Sequence, residues 1–243
     1  MAGLGRRDQG GHLLENRRNG VHNPDALYRS EVSAADVLAS RVVCEPLRLW
    51  MLCSPDEGAA AVVLRRADDG SGITVEAAAL RSHLPGSVLG EATPMAGLVD
   101  DGFPSPTALA AEAAYAEAGV GPDDLDLVEC QDTDAARELL SYEELGLCAQ
   151  GEAARFLDAG APEMNGRLPV NPSGGLLSKG EPLGASALGQ VVELVRQLRG
   201  AAGPRQVEGA RLALAHTVGR GANACVVILR RAAATATAAT AVL

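Results

Sequence analysis

Residues 170–200 have the sequence VNPSGGLLSKGEPLGASALGQVVELVRQLRG, in which two glycine-rich loops precede an apolar-patterned segment. Glycines in NPSGG and GEPLG predict tight turns in which the backbone approaches a ligand closely, and their N–H groups are candidate oxyanion donors. Residues 185–199 carry apolar side chains at helical spacing. These side chains are Leu188, Val191, Val192, Val195 and Leu198. The segment therefore predicts a loop site followed by a helix that is largely buried.

Strand and helix patterns alternate on both sides of this segment. Ser105 as N-cap and Pro106 at the first helical position predict a helix that ends at Gly119. Short apolar runs predict strands at 73–80, 125–130, 168–170, 210–215 and 224–229, and longer patterned runs predict helices at 135–145 and 151–157. This alternation predicts an α/β layered domain with a mixed sheet near its middle.

The first 66 residues lack this regular alternation of strand and helix patterns. Residues 1–24 are rich in Gly, Asn and Arg and lack periodicity, and the sequence Asn23-Pro24 predicts a turn at their end. Residues 33–38 predict a short helix with a partial capping box. Residues 58–64, GAAAVVL, form a continuous apolar run of the kind found in strands that are buried on both faces. A polar turn at 67–72 is a plausible domain boundary.

Composition limits the classes of function. The formal net charge is −10, which argues against a broad nucleic-acid or anionic-membrane surface, although it leaves room for a local basic phosphate site. No run approaches the ~18 apolar residues of a membrane span, and the first residues lack a signal-peptide pattern. The five cysteines are scattered without metal-ligand spacing, so no metal site is expected. We expect a cytoplasmic protein with reduced thiols.

Four stretches resemble the thiolase superfamily, in particular its sterol-carrier-protein type. VNPSGGLLSKGEPLGAS resembles the thiolase motif NPSGGLxSKGHPLGATG, and residues 128–153 are similar to the stretch built around a His-Asp-Cys-Phe loop. EGAAAVVL at 57–64 and ALAHTVGRGANACVVIL at 213–229 look like further family segments. The resemblance runs in order from about residue 16 to residue 231. It implies a thiolase-like layered α/β fold, usually dimeric.

The same resemblance implies a division of the chain. Residues 1–68 correspond to the last part of an N-terminal thiolase half, namely a loop region and its final strand. Residues 69–231 correspond to the C-terminal thiolase domain, and residues 232–243 are expected to be a disordered tail. In family members the rest of the N-terminal half carries the nucleophilic cysteine. Either the sequence is truncated or a separate chain supplies that part.

Three candidate catalytic residues occupy altered motif positions. Glu181 stands where the family motif has the GHP histidine, and a carboxylate beside a thiol disfavours the thiolate. It is either a proton-transfer group or a charged loop residue in an inactive site. Gln131 stands at the His of the His-Asp-Cys-Phe loop and can still donate to a carbonyl oxygen. Thr133 stands at the Cys of that loop, and its hydroxyl cannot relay a proton unaided.

Other candidates have competing interpretations. His216 either lines the substrate and orders the backbone or is a structural histidine. We expect Gln131, Glu181 and His216 to converge at one end of the sheet. Arg17 and Arg18 either meet a coenzyme A phosphate or are solvated. The candidate substrate-binding glycines are Gly174, Gly175, Gly180 and Gly221, while Cys130 and Cys225 are expected in the core.

The expected function is acyl-CoA acyl transfer of the acetyl-CoA acetyltransferase type, that is, Claisen or retro-Claisen chemistry at a thioester. The resemblance implies no cofactor, with the coenzyme A thioester as substrate. One alternative is a thiolase-like retro-aldolase that acts on a hydroxyacyl-CoA side chain. Another is a non-catalytic thiolase-fold subunit. Expected partners are a second copy of the chain, a complementary N-terminal thiolase half or a small acyl-CoA-binding subunit.

Overall fold

The computed structural model describes residues 8–66, 72–82, 84, 103–219 and 223–232. The predicted boundary near residue 68, Gly221 and nearly all of the expected tail lie outside these ranges. The helices are α1 (Asp8–Val21), α2 (Ala34–Ala39), α3 (Pro106–Ala118), α4 (Ala135–Glu144), α5 (Ala153–Asp158), α6 (Gly175–Lys179) and α7 (Ser186–Leu198). The strands are β1 (Val42–Cys44), β2 (Leu47–Arg48), β3 (Pro55–Asp56), β4 (Ile73–Ser82), β5 (Leu127–Glu129), β6 (Glu181–Pro182), β7 (Leu212–Gly219) and β8 (Asn223–Arg231). None of the helices in the described ranges is long and apolar enough to cross a membrane.

A four-stranded sheet in the order β4-β8-β7-β5 forms the centre of the domain. β8 runs antiparallel to both β4 and β7, whereas β5 runs parallel to β7. Two short ladders lie apart from this sheet: β1 pairs with β2, and β3 pairs in parallel with β6. The predicted mixed sheet in an α/β domain is confirmed.

Helices cover both faces of this sheet because side chains of a strand alternate between its faces. In β7, Leu212 and Leu214 join a core with α3 and α4, whereas Ala213 and Ala215 join a core with α7. Ser105 caps α3 by accepting from the Ala108 N–H at 3.2 Å. The predicted α3 start and the layered architecture are thus both present.

α1 forms within residues 1–24, the segment that lacks periodicity and was expected to belong to a loop region. Its helical form depends on tertiary contacts more than on an apolar stripe. Asn16 Nδ2 donates to Asp132 Oδ2 at 3.0 Å, and Asn19 Nδ2 donates to the Asn171 carbonyl at 3.2 Å. Leu13 is fully buried beside them. A pattern search for apolar periodicity cannot find a helix that is anchored by buried asparagines.

Residues 58–64 are not a strand, which corrects a second prediction. Val63 is 96% exposed and Leu64 is 77% exposed. The run continues directly from β3, whose two residues pair with β6. Beyond that ladder it has no strand partner among the described residues, and a strand needs a hydrogen-bonded neighbour to form. The strand predicted at 168–170 is also absent, because Val170 makes only an isolated bridge to Val128.

α7 is present, but its buried face differs from the predicted one. Leu188 is 39% exposed, although Leu198 is fully buried as predicted. The buried face includes Glu193 and Gln197, because the Arg205 guanidinium reaches the Glu193 carboxylate at 2.9 Å. Gln197 Nε2 donates to the same carboxylate at 3.0 Å. The buried face of α7 therefore includes a paired charge, and it is not the face with the most apolar side chains.

Candidate functional site

Gln131 lies just beyond β5 and is held by β7. The parallel register places Glu129 beside Ala215, so Gln131 comes beside Thr217 two residues later. The Thr217 hydroxyl donates to Gln131 Oε1 at 2.6 Å, and the Val218 N–H donates to the same oxygen at 3.0 Å. A backbone N–H can only donate, so the oxygen of the amide must face β7. The NH₂ group is thereby turned toward Glu181.

Glu181 is brought to Gln131 by the β3–β6 ladder. Its N–H donates to the Ser54 carbonyl at 2.8 Å. Its carboxylate is half-buried and accepts from two neutral donors, Gln131 Nε2 at 3.3 Å on Oε1 and Cys53 Sγ at 3.3 Å on Oε2. The structure therefore brings Glu181 and Gln131 together, as expected, and adds a thiol that the sequence interpretation missed.

The Cys53 thiol stays protonated in this setting. Burial raises its pKa, and the adjacent Glu181 carboxylate raises it further. No sequence motif marks Cys53, because it reaches Glu181 through the pairing of β3 with β6, two segments that are distant along the chain. The described site thus contains a carboxylate, an amide donor and a neutral thiol.

Gly174, Gly175 and Gly180 approach protein atoms closely. Gly175 has φ +60°, and the Asp132 carboxylate fills the space that a Cβ would need. A Cβ on Gly174 would lie 2.7 Å from the Gly20 Cα, and one on Gly180 would lie 2.8 Å from the Asp56 Cβ. The predicted close approach is real, but its partners are the protein's own residues.

Asp132 gives these loops their shape. Its carboxylate is fully buried and accepts the Leu176 N–H at 2.6 Å and the Leu177 N–H at 3.2 Å, at the start of α6. Burial and the charge of Glu138 raise the pKa of Asp132 well above its ordinary value, while the two backbone donors act in the opposite direction. The conformation of the NPSGG loop is therefore set by a buried carboxylate behind it, next to Gln131 in sequence.

His216 does not join Gln131 and Glu181. It is fully buried, and its Nε2 lies 3.0 Å from the Thr107 hydroxyl of α3. Burial lowers its pKa well below the ordinary value, and the Arg137 charge acts in the same direction. Thr217, the next residue, faces Gln131 because alternate residues of a strand point to opposite faces. His216 therefore lies at the same end of the sheet as Gln131, but its side chain is on the opposite face, against α3.

Thr133 lies at the edge of the site through its backbone. Its carbonyl accepts the Cys53 N–H at 2.9 Å. Its buried hydroxyl has no hydrogen-bond partner among the described residues. This backbone bond holds the segment that carries Cys53, while the Thr133 hydroxyl has no hydrogen-bonded path to Glu181 among the described residues.

Arg17 and Arg18 point in different directions. Arg17 is 2% exposed, with its guanidinium carbon 4.1 Å from the centre of the Tyr28 ring and 5.0 Å from the Trp50 ring. Burial lowers its pKa. Only Arg18 lies on the surface, so the structure does not present the adjacent pair to a phosphate.

Cys130 and Cys225, which were expected in the core, are buried to different degrees. Cys130 is fully buried, and Asn171 Nδ2 donates to its sulfur at 3.7 Å. Cys225 is half-buried on β8. Burial raises the pKa of both thiols. Neither is a thiolate, so neither supplies an activated nucleophile.

Comparison with known proteins places the chain in a family. Residues 95–231 match the family described as Thiolase C-terminal domain-like. The chain is 37% identical over 223 residues to sterol carrier protein 2 of Homo sapiens, covering 89% of this chain and 40% of that protein. It is 39% identical to an acetyl-CoA acetyltransferase of Methanothermobacter thermautotrophicus, covering 89% of this chain and 56% of the relative.

A solved structure described as Ltp2-ChsH2(DUF35) aldolase has a similar fold, with a TM-score of 0.75 and 24% sequence identity, over 93% of this chain and 58% of that one. The chain spans only about 40–58% of the length of these three proteins. The family match is consistent with the NPSGG and GEPLG loops and with the mixed sheet. The chain belongs to the thiolase C-terminal domain-like family, with sterol carrier protein 2 and acetyl-CoA acetyltransferase among its relatives.

Proposed function

We propose that the chain acts on acyl-CoA thioesters as the C-terminal part of a thiolase-fold enzyme, by proton transfer at Glu181. The observation that carries this proposal is the hydrogen-bonded pair of Glu181 and Gln131. A carboxylate accepts protons, and an adjacent amide N–H stabilises a developing oxyanion. The protonated Cys53 beside them disfavours covalent chemistry in the same site.

Retro-aldol cleavage of a β-hydroxyacyl-CoA uses this pair directly. Glu181 takes the proton of the β-hydroxyl group as the Cα–Cβ bond breaks, which yields a carbonyl compound and a thioester enolate. The enolate oxygen accepts a hydrogen bond from Gln131 Nε2. The protonated Glu181 then returns its proton to Cα, which releases the shortened acyl-CoA and restores the carboxylate. The same fold occurs in a protein described as an aldolase.

Acyl transfer is the second candidate, and the 39% identity to an acetyl-CoA acetyltransferase favours it. Thiolysis needs a thiolate nucleophile. Burial raises the pKa of the Cys53, Cys130 and Cys225 thiols, so none of them is an activated nucleophile, and in this proposal the nucleophilic cysteine comes from a complementary polypeptide. In that assembly Glu181 would act as the acid and base that serves an incoming thiolate.

Product analysis separates the two reactions. The chain, alone and with a complementary thiolase N-terminal half, is incubated with a β-hydroxyacyl-CoA or with acetoacetyl-CoA plus free coenzyme A. Retro-aldol chemistry yields a carbonyl product that Glu181→Gln reduces ~10²–10⁴-fold. The exposed Glu117 provides the control Glu117→Gln, which should retain full activity. Acetyl-CoA formation without a carbonyl product would instead support acyl transfer.

A complementary polypeptide is also suggested by residues 58–64. This exposed apolar run has strand-type sequence and follows directly on the β3–β6 ladder. Gly58 lies against Pro182, since a Cβ there would be 3.1 Å from the Pro182 Cβ, so the run starts beside the candidate site. We infer that its partner is an open β-sheet of a thiolase-type N-terminal half, which would bury Val63 and Leu64. Burial of such side chains contributes about 1.5–3 kcal/mol each.

Sedimentation of the chain with a recombinant N-terminal half of the methanogen relative tests this partner. A 1:1 complex should form, and Val63→Lys should weaken it at least ~10-fold. Leu80, 62% exposed on β4, provides the matched control Leu80→Lys, which should bind normally. Equal weakening by both variants, or self-association of the chain in place of the complex, would contradict the inferred partner.

A further inference from the structure

Cys53 lies inside the candidate site, although no motif marks it. Its thiol donates to Glu181 Oε2 at 3.3 Å, and Gln131 Nε2 donates to Glu181 Oε1 at 3.3 Å. Each oxygen of the carboxylate therefore has one neutral donor. Two donors on opposite oxygens restrict rotation of the carboxylate about its last side-chain bond.

Main-chain hydrogen bonds fix Cys53 on both sides. Its N–H donates to the Thr133 carbonyl at 2.9 Å, while the carbonyl of its neighbour Ser54 accepts the Glu181 N–H at 2.8 Å. The Tyr28 hydroxyl and the Ser54 hydroxyl are 2.6 Å apart, which ties this segment to the loop after α1. These main-chain hydrogen bonds hold the Cys53 thiol beside the Glu181 carboxylate.

We propose that Cys53 is a positioning residue, a protonated thiol that together with Gln131 holds the Glu181 carboxylate in one orientation. Its catalytic consequence rests on the proposed function of Glu181. A nucleophilic role conflicts with the geometry, because a carboxylate in contact with a thiol disfavours the thiolate. The Cys-to-carboxylate contact thus keeps the sulfur unreactive while it orders the base.

Alkylation of each cysteine by iodoacetamide, followed by peptide mass spectrometry, measures the thiol–carboxylate contact. In the unmodified chain Cys53 should react at least ~100-fold more slowly than a free cysteine peptide, because only the thiolate reacts. Glu181→Gln should raise its rate ~10-fold and move the rate's pH profile to lower pH. Glu181→His should raise it further, since an imidazolium favours the thiolate.

Two other cysteines serve as internal controls in the same digest. The half-buried thiol of Cys148 has its pKa raised to about 12 by burial, Glu143 and Glu152, so its rate should stay within about twofold in every variant. Cys130 is fully buried and reports unfolding. If Cys130 becomes labelled in Glu181→Gln, the shorter Glu181→Asp, which also breaks the thiol contact, replaces it. An unchanged Cys53 rate in a folded variant would overturn the proposal.

The positioning effect has its own readout in the side-chain amide resonance of Gln131, identified by its absence from Gln131→Glu. Cys53→Ala frees one carboxylate oxygen and should shift this resonance, whereas Cys53→Ser keeps a donor and should restore it. A resonance that is identical in Cys53→Ala would show that the thiol does not position Glu181. Both measurements are made without substrate, so their failure is separate from a failure of the retro-aldol assay.

Discussion

Glu15 on α1 should make the stability of this protein fall as pH rises. It is only 6% exposed, and its Oε1 has no hydrogen-bond partner among the described residues. Burial raises its pKa from 4.5 to about 8, with further contributions from the charges of Glu138 and Glu163. The folded state thus keeps a proton through a pH range in which the unfolded chain has lost it. The stabilisation is complete below pH 4.5 and is lost as pH rises toward 8.

The size of this effect follows from the linkage relation. At 1.36 kcal/mol per pKa unit, the full shift corresponds to roughly 5 kcal/mol, of which about 2–3 kcal/mol should be lost between pH 6 and pH 8.5. The Glu15→Gln side chain carries no charge at any pH, so this substitution removes the contribution of Glu15 to the pH dependence of stability. Other titrating groups, such as Glu138 with its pKa raised to about 7, remain in both proteins.

Urea unfolding at pH 6 and pH 8.5 measures the difference. The free energy of unfolding of Glu15→Gln should fall by about 2–3 kcal/mol less than that of the unmodified chain over this interval. Glu112→Gln, at an exposed position of α3, should behave like the unmodified chain. Equal pH dependence in Glu15→Gln and the unmodified chain would refute the argument that the buried Glu15 carboxyl is protonated in the folded state.

Three further predictions concern the loops, the amide and the activity. Gly175→Ala should lower the free energy of unfolding, measured by thermal unfolding, by several kcal/mol more than Gly200→Ala. Both glycines have positive φ, but only at Gly175 would an added Cβ meet a carboxylate. Thr217→Val should lower the free energy of unfolding by ~1 kcal/mol, and Thr217→Ser should recover most of it. The isolated chain should show no acetoacetyl-CoA thiolysis in a coenzyme-A-release assay; turnover that is abolished by mutating Cys130 or Cys225 would contradict our assignment of the thiols.

Local patterns predicted most of the C-terminal elements correctly. Ser105-Pro106 and Gly119 mark the ends of α3 because a capping hydroxyl and a left-handed glycine act within one helical turn. The apolar runs of β7 and β8 predicted paired strands because their partners are adjacent in sequence. The glycine-rich loops identified the family, and the motif positions named Gln131 and Glu181 as neighbours.

Three features were decided by the tertiary structure. α1 forms because Asn16 and Asn19 find acceptors more than 100 residues away, a contact that no local window contains. Cys53 is placed in the site by the β3–β6 ladder and by its N–H bond to the Thr133 carbonyl, whereas the pleat of β7 turns the His216 side chain toward α3. The sequence by itself determined the elements whose stabilising contacts are local and the family motif that names the site. Strand pairing and burial decided which side chains meet there, since these depend on partners that are distant along the chain.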